Sequence, residues 1–305
     1  MSGARRPRLR RWRASRRRPA HDAVREELEG LHRRIGWQPG HFYSPYPDLR
    51  EVERRRTVIY AEADPVIPGV DLRAEAQLAR LAELAPAIAG APYGAGGGAV
   101  RFRLENPNLS PVDAALLHGQ IVDLAPRRVI EVGSGHSSCA ILDALERSGG
   151  GELTLVEPDA DLVRSLLPPG DGERIELLER PVQDVEPERF ARLAAGDVLF
   201  IDSSHVAKPG SDVSHLVFSV LPALAPGVRV HVHDVYHPFE YPLEWVAQGR
   251  AWNEAPLMRA FLQFNEAFRV ELFGSWLARF HPGALAAAMP GWAVGVSSSL
   301  WLVRS

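Results

Sequence analysis

The chain has 305 residues, 46% hydrophobic and 24% charged, with a formal net charge of −3. That composition excludes a collagenous or disulfide-stapled protein: there is apolar surface for a large core, and the single cysteine, Cys139, has no partner within the chain. No apolar run is long enough to span a bilayer, and because residues 1–20 hold nine arginines, the remainder carries about −12, the wrong sign for a nucleic-acid-binding body.

Residues 1–20 have too few apolar side chains to bury anything and no apolar core of a signal peptide, so a disordered arginine-rich tail and a cytoplasmic location are expected. Val24, Leu28, Leu31 and Ile35 recur at three and four, predicting a helix over 22–35. Gly40 to Pro47 breaks regular structure with prolines and aromatics, either as a loop packed over the core or as a lid on a ligand pocket. A helix is predicted over Leu72 to Ile88, a flexible connector over Gly90 to Gly98, and another helix from Ser110-Pro111, where a hydroxyl cap precedes proline. Its buried stripe is expected at Ala114, Leu117, Ile121 and Leu124. We thus divide the chain into the tail 1–20, a helical or lid extension 21–105, and a main domain 106–305.

From there strand and helix patterns alternate, as a doubly wound α/β sheet requires. Strands are read at Arg128–Val132, Leu153–Val156, Ile175–Leu178, Val198–Ile201 and Val228–His233, and in the tail at Phe268–Phe273 and Val294–Val303. Helices are read near Ser138–Arg147, Asp161–Leu167, Pro187–Ala194 and Asp212–Leu224.

The first strand runs into Glu131-Val132-Gly133-Ser134-Gly135-His136-Ser137, a strand, tight turn and helix start that offers backbone N–H groups at the carboxyl end of the sheet. Glu157 closes the next strand 22 residues beyond Gly135, the spacing at which an acid grips a ribose diol. The third glycine of a dinucleotide fingerprint is missing and Glu131 sits inside the turn, which suits the amino-acid end of S-adenosylmethionine better than a pyrophosphate. Asp202 and Asp234 close strands four and five, neighbours about 4.8 Å apart, so their carboxylates can meet.

Together with Phe200-Ile201-Asp202-Ser203-Ser204-His205 and His231-Val232-His233-Asp234, these motifs resemble the class I S-adenosylmethionine-dependent methyltransferases, within them the bacterial branch of macrolide-sugar and other natural-product O-methyltransferases. The likeness covers residues 106–235. It implies a Rossmann-like seven-stranded sheet, parallel but for one antiparallel strand near the C-terminus, with an N-terminal helical cap. It also implies cofactor contacts from Glu131, Gly133, Ser134, Gly135, Ser137, Glu157 and Asp202, and an adenine contact from Gln183. By the Asp-x-x-His pattern it makes His205 the general base beside Asp202 and Asp234. Relatives hold a divalent cation on acids at the ends of strands four and five. Here Asp202 and Asp234 match while His233 replaces an adjacent acid, so magnesium or manganese on Asp202, Asp234 and His233 is a candidate site.

His231, His136 and His215 read as structural histidines. The aromatic run Tyr236 to Pro242, with Trp245 and Trp252, reads as a wall of the acceptor site. The expected activity is methylation of an oxygen on a sugar or other small natural product, without nucleic-acid or membrane partners and with homo-oligomerisation allowed. The alternatives are an N- or C-methyltransferase, a non-catalytic nucleotide-binding protein, and, at fold level, a nicotinamide-dependent oxidoreductase.

Overall fold

The computed structural model describes residues 36–60, 64–93, 100–290, 292 and 295–305, together with Gly30. The arginine-rich segment 1–20, the helix expected over 22–35 and most of the glycine-rich connector lie outside the described residues. Two compact units divide between Ile59 and Tyr60. In the smaller one, residues 36–47 form no regular element, as the prolines predicted. Helices α1 (Leu49–Arg54) and α2 (Arg56–Ile59) follow, α1 being capped by Asp48, which accepts from the Arg50 N–H. Residues from Tyr60 onward belong to the larger unit.

In the larger unit seven strands form one sheet: β1 (Arg128–Val132), β2 (Glu152–Val156), β3 (Ile175–Leu178), β4 (Val198–Ile201), β5 (Arg229–Val232), β6 (Phe268–Phe273) and β7 (Leu300–Arg304). Their order is β3-β2-β1-β4-β5-β7-β6. The first five are parallel, and β7 runs antiparallel between β5 and β6. The direction of winding reverses between β1 and β4, so the crevice of such a sheet opens beyond the carboxyl ends of those two strands. Val129, Leu155, Val198, Leu199, Phe200 and Val230 are fully buried, because helices cover both faces of a parallel sheet.

The helices of this unit are α3 (Ala74–Ala89), α4 (Pro111–Leu124), α5 (His136–Ser148), α6 (Asp161–Leu166), α7 (Pro187–Ala191), α8 (Asp212–His215), α9 (Leu221–Ala223), α10 (Leu243–Ala247), α11 (Glu254–Leu262), α12 (Gly274–Phe280) and α13 (Pro282–Ala288). None among the described residues is long and apolar enough to cross a membrane.

Three expectations change. Helix α4 is buried along all of Val112–Ile121 rather than on one stripe, and Leu124 is only partly covered, because α4 packs against both α3 and α5. The single helix expected over 212–224 is interrupted by a π-turn at Leu216–Val220. Pro222 supplies the reason: it has no N–H to give Phe218, and its ring would press on that carbonyl unless the turn widened.

Strand β7 begins at Leu300, not near 294. Asp113, buried in the first turn of α4, accepts from the N–H of Ser298 at 3.1 Å, the hydroxyl of Ser299 at 2.6 Å and the hydroxyl of Ser297. The chain before Leu300 thus spends its donors on a carboxylate instead of on a β-ladder. Truncating Asp113 would orphan these buried donors, at about 1–3 kcal/mol for an unsatisfied group. We expect Asp113→Ala to lower unfolding free energy by about 3 kcal/mol in a denaturant titration. A loss below about 1 kcal/mol would mean that water replaces the carboxylate.

Candidate active site

Gly133, Asp202 and Asp234 stand at the strand ends around the switch point. Gly133 has φ +82°, and a Cβ there would lie 1.8 Å from the Asp202 carbonyl oxygen. Only glycine lets the turn after β1 pass so close to the end of β4. The Asp202 N–H donates to Val132 O at 2.9 Å and fixes the approach.

His205 follows three residues later with φ +60°, and Asp234 has φ +56°. Neither residue favours that region, so each costs about 1–3 kcal/mol that the surroundings must offset. At His205 the offset is visible: its carbonyl accepts from the N–H groups of Asn253 at 3.0 Å and Glu254 at 3.2 Å, and the Asn253 side chain pairs with both backbone groups of Ala207. The loop after β4 is thereby bolted to the start of α11.

The side chains converge as the backbone directs. His205 Nε2 lies 3.4 Å from Asp202 Oδ1 and 3.5 Å from Asp234 Oδ2, while Nδ1 lies 2.8 Å from Glu254 Oε2. Both His205 and Glu254 are buried. Burial by itself would lower the imidazole pKa, but hydrogen bonds to Asp202 and Glu254 outweigh it and push the value up to about 10. His205 is therefore an imidazolium at neutral pH in this arrangement, not the neutral base that its ordinary pKa suggested. Burial raises Asp234, whereas at Asp202 its raising effect is overcome by His233 and His205, which hold that carboxyl low.

Asp202, His205 and Asp234 bring ligand atoms within 4.8 Å of one another, a set that could hold a metal ion. His233 stands beside this set. Its Nδ1 meets His231 Nε2 at 3.2 Å, and its Nε2 faces Ser298 Oγ at 3.4 Å and Asp234 Oδ1 at 3.8 Å. Strict strand alternation would put His233 and Asp234 on opposite faces, yet both line one cavity, because the positive φ of Asp234 takes it out of the pleat. His231, fully buried and stacked on Phe200 at 4.1 Å, is structural as expected. Glu254 was missed, since no spacing rule ties an acid at a helix start to a histidine 49 residues earlier.

Two cavities flank Asp202. One, of about 450 Å³, is lined by Gly133, Glu157, Gln183, Ser203, Lys208 and Asp212. The other, of about 590 Å³, is lined by Ser134, Gly135, His136, Ser137, Asp202, His233, Asp234 and the aromatics Tyr236, Trp245 and Trp252. The aromatic residues expected to wall an acceptor site thus share this second cavity with Asp202 and Asp234.

Glu157 holds the turn between the cavities, accepting from Ser134 N at 3.0 Å and from Asp159 N at 2.9 Å. Gln183 donates to Gly210 O at 2.7 Å, leaving its Oε1 without a partner among the described residues. The buried hydroxyls of Ser134 and Ser203 are likewise unpartnered there. Such orphaned atoms along a cradle fit a ligand rich in hydroxyl and amino groups. Glu131 lines neither cavity. It is wholly buried, accepts from the Ser138 hydroxyl at 2.6 Å and keeps one oxygen unpartnered, so it braces the turn from within.

Residues 130–235 match the family described as a methyltransferase domain. A protein from Archaeoglobus fulgidus, itself uncharacterized, is 31% identical over 178 residues, which is 54% of this chain and 78% of that one. Among solved structures, an O-methyltransferase from Bacillus cereus in complex with S-adenosylhomocysteine is 16% identical, over 84% of this chain and 97% of that one, with a TM-score of 0.43. The O-methyltransferase of Streptomyces achromogenes involved in tomaymycin synthesis, in complex with S-adenosylmethionine, is 18% identical over 75% and 89%, with a TM-score of 0.42.

The buried turn makes stability depend on pH. Burial pushes Glu131 up to about 8 from 4.5, against the partial relief of the Ser137 and Ser138 hydroxyls. Between those values the folded chain keeps a proton that the unfolded chain has released, so stability falls as pH rises through that window. In Glu131→Gln, which cannot ionise, the decline in melting temperature from about pH 5 to 8 should be shallower than in the unsubstituted protein. Equal slopes would show that Glu131 is ionised in the fold.

Proposed function

Because the chain belongs to the class I S-adenosylmethionine-dependent methyltransferases, we propose that it methylates an oxygen of a small-molecule acceptor at the point where its two cavities meet. The observation that carries this reading is the position of Asp202. It lines the cradle side and the aromatic side at once, and it touches His205. S-adenosylmethionine, when bound, supplies an electrophilic methyl group on a sulfonium. Glu157 would hold the ribose diol, Gln183 the adenine side, and the backbone of Gly133 to Gly135 with Ser134 and Ser137 the amino-acid end. The cavity of about 590 Å³ lies in the range for small ligands, and its aromatic wall gives an acceptor contact area.

Oxygen is favoured over nitrogen because a hydroxyl must lose a proton while a neutral amine can attack without losing one first. The paired acids and His205 are placed to take that proton. An imidazolium with a pKa of about 10 cannot accept one until its own is released. Two carboxylates and an imidazole nitrogen form a donor set for a divalent cation, and the nitrogen favours manganese or a softer ion over magnesium. With a cation on Asp202 and Asp234, Nε2 would lose the anions that hold its proton. Glu254 behind Nδ1 would then fix the ring in the manner of a carboxylate behind a metal-bound histidine.

Two measurements test the assignments. Glu157→Ala should weaken S-adenosylhomocysteine binding about ten- to a hundredfold by calorimetry, the worth of a charge-assisted hydrogen bond. Unchanged affinity in a folded variant would remove Glu157 from the cofactor site. The second measures methyl transfer with and without chelator and added manganese. If His205 is the base, His205→Ala loses roughly 10²–10⁴ in turnover while cofactor affinity is kept. If a cation activates the acceptor, chelator and Asp202→Asn each abolish turnover. Full activity in chelator rules out the cation, and near-normal turnover of His205→Ala in every metal condition rules out the histidine.

A further inference from the structure

The larger cavity carries opposite charges. Asp202 and Asp234 line it, and Arg250 is the single lysine or arginine among the residues that line it. Arg250 is held in a particular way. Its guanidinium carbon lies 4.4 Å from the ring centre of Trp245 and 4.7 Å from that of Trp252, and these two indoles are 5.2 Å apart and nearly perpendicular, at 77°. The cation thus sits in the angle between two aromatic faces, where the ring quadrupoles attract it. The Arg250 N–H donates to Trp245 O at 3.2 Å, and Nε donates to Gln248 Oε1 at 3.1 Å.

Nothing else in the described residues engages it. No carboxylate among them comes within 4.0 Å of Arg250, whereas Arg101 is paired with Asp143, Glu146 and Asp171, and Arg80 with Asp123; Arg73 and Arg259, also partly buried, share the lack of a carboxylate but do not line this cavity. Both terminal nitrogens of Arg250 are left as donors beside the cavity. A half-buried cation positioned by two rings and given no anion by its own chain is arranged to receive one from a ligand.

We infer that the acceptor carries a carboxylate, which Arg250 binds while the hydroxyl to be methylated lies beside Asp202, His205 and Asp234. This rests on the methyltransferase reading of the site and names the substrate class. A carboxylate fits for two reasons. The planar guanidinium edge matches a planar carboxylate through two parallel hydrogen bonds. One cation also balances one negative charge, whereas a dianion would leave excess charge in a cavity that already holds two acids. Arg250, Tyr236, Asp202 and Asp234 all line one cavity of small-molecule size. Arg250 holds the acceptor at its far end, a specificity role rather than a chemical one.

The test uses the full chain loaded with S-adenosylhomocysteine and two probes of one shape, 3-hydroxybenzoate and 3-hydroxybenzyl alcohol, with affinities read by calorimetry or ligand-observed NMR. The benzoate should bind about ten- to a hundredfold more tightly than the alcohol, the worth of a charge-assisted pair. That preference should vanish in Arg250→Gln and return in part in Arg250→Lys, with S-adenosylhomocysteine affinity and melting temperature unchanged in both. Equal or undetectable binding of the two probes by the unsubstituted protein overturns the inference, as does a preference that survives Arg250→Gln. Failure to bind S-adenosylhomocysteine at all would count against the methyltransferase reading instead. The same probe comparison made without it would still decide the carboxylate site.

Discussion

The structure around the site depends on one buried histidine meeting three carboxylates. Asp202 and Asp234 reach His205 Nε2 from the ends of adjacent strands, and Glu254 reaches Nδ1 from the start of α11. Three acids cannot crowd together in a region of low dielectric without a cation among them, because desolvation and mutual repulsion would protonate them. The imidazolium fills that role when nothing else is bound. A cation held by Asp202 and Asp234 would compete with that proton, because metal ligands must be deprotonated.

The frame that holds these groups is itself polar and buried. Asp113 gathers three consecutive serines before β7, and Ser298 among them touches His233. His233 in turn meets His231, which stacks on Phe200 in β4. A path of hydrogen bonds and ring contacts therefore runs from the first turn of α4 through β5 to β4 on the inner side of the site. Such a network fixes geometry best where its members are satisfied; among the described residues, Nδ1 of His231 is the side-chain atom of this path left without a partner. The backbone strain at His205 and Asp234 is tolerated because the hydrogen bonds of Asn253 and Glu254 on one side, and of Ser298 on the other, leave the chain no cheaper path.

The aromatic wall serves a different end. Trp245 and Trp252 line the cavity, and the angle between their rings holds Arg250. Opposite charges at separate points of a cavity of about 590 Å³ make it selective for the direction in which a ligand lies as well as for its size. For methyl transfer, orientation is the larger requirement, since holding the reactants in line supplies most of the rate.

The sequence by itself determined the sheet and the strand-end chemistry. β1 and β4 fall on their predicted residues because short runs buried on both faces leave an apolar signal, and the edge strands β3 and β6 because apolar residues flank the exposed Glu176 and Arg269; Asp202 and Asp234 follow from where the central runs stop. Gly133 was legible because a turn passing this close to a neighbouring strand admits no Cβ. Tertiary structure alone decided the rest. Glu254 approaches His205 across 49 residues, and no local period encodes that approach. The face of Asp234 depended on a left-handed backbone that alternation cannot foresee, and the late start of β7 on donors claimed by a distant Asp113. The charge state of His205 lay furthest from the sequence, because a pKa is set by the partners that folding brings within hydrogen-bonding distance and not by the residue that carries it.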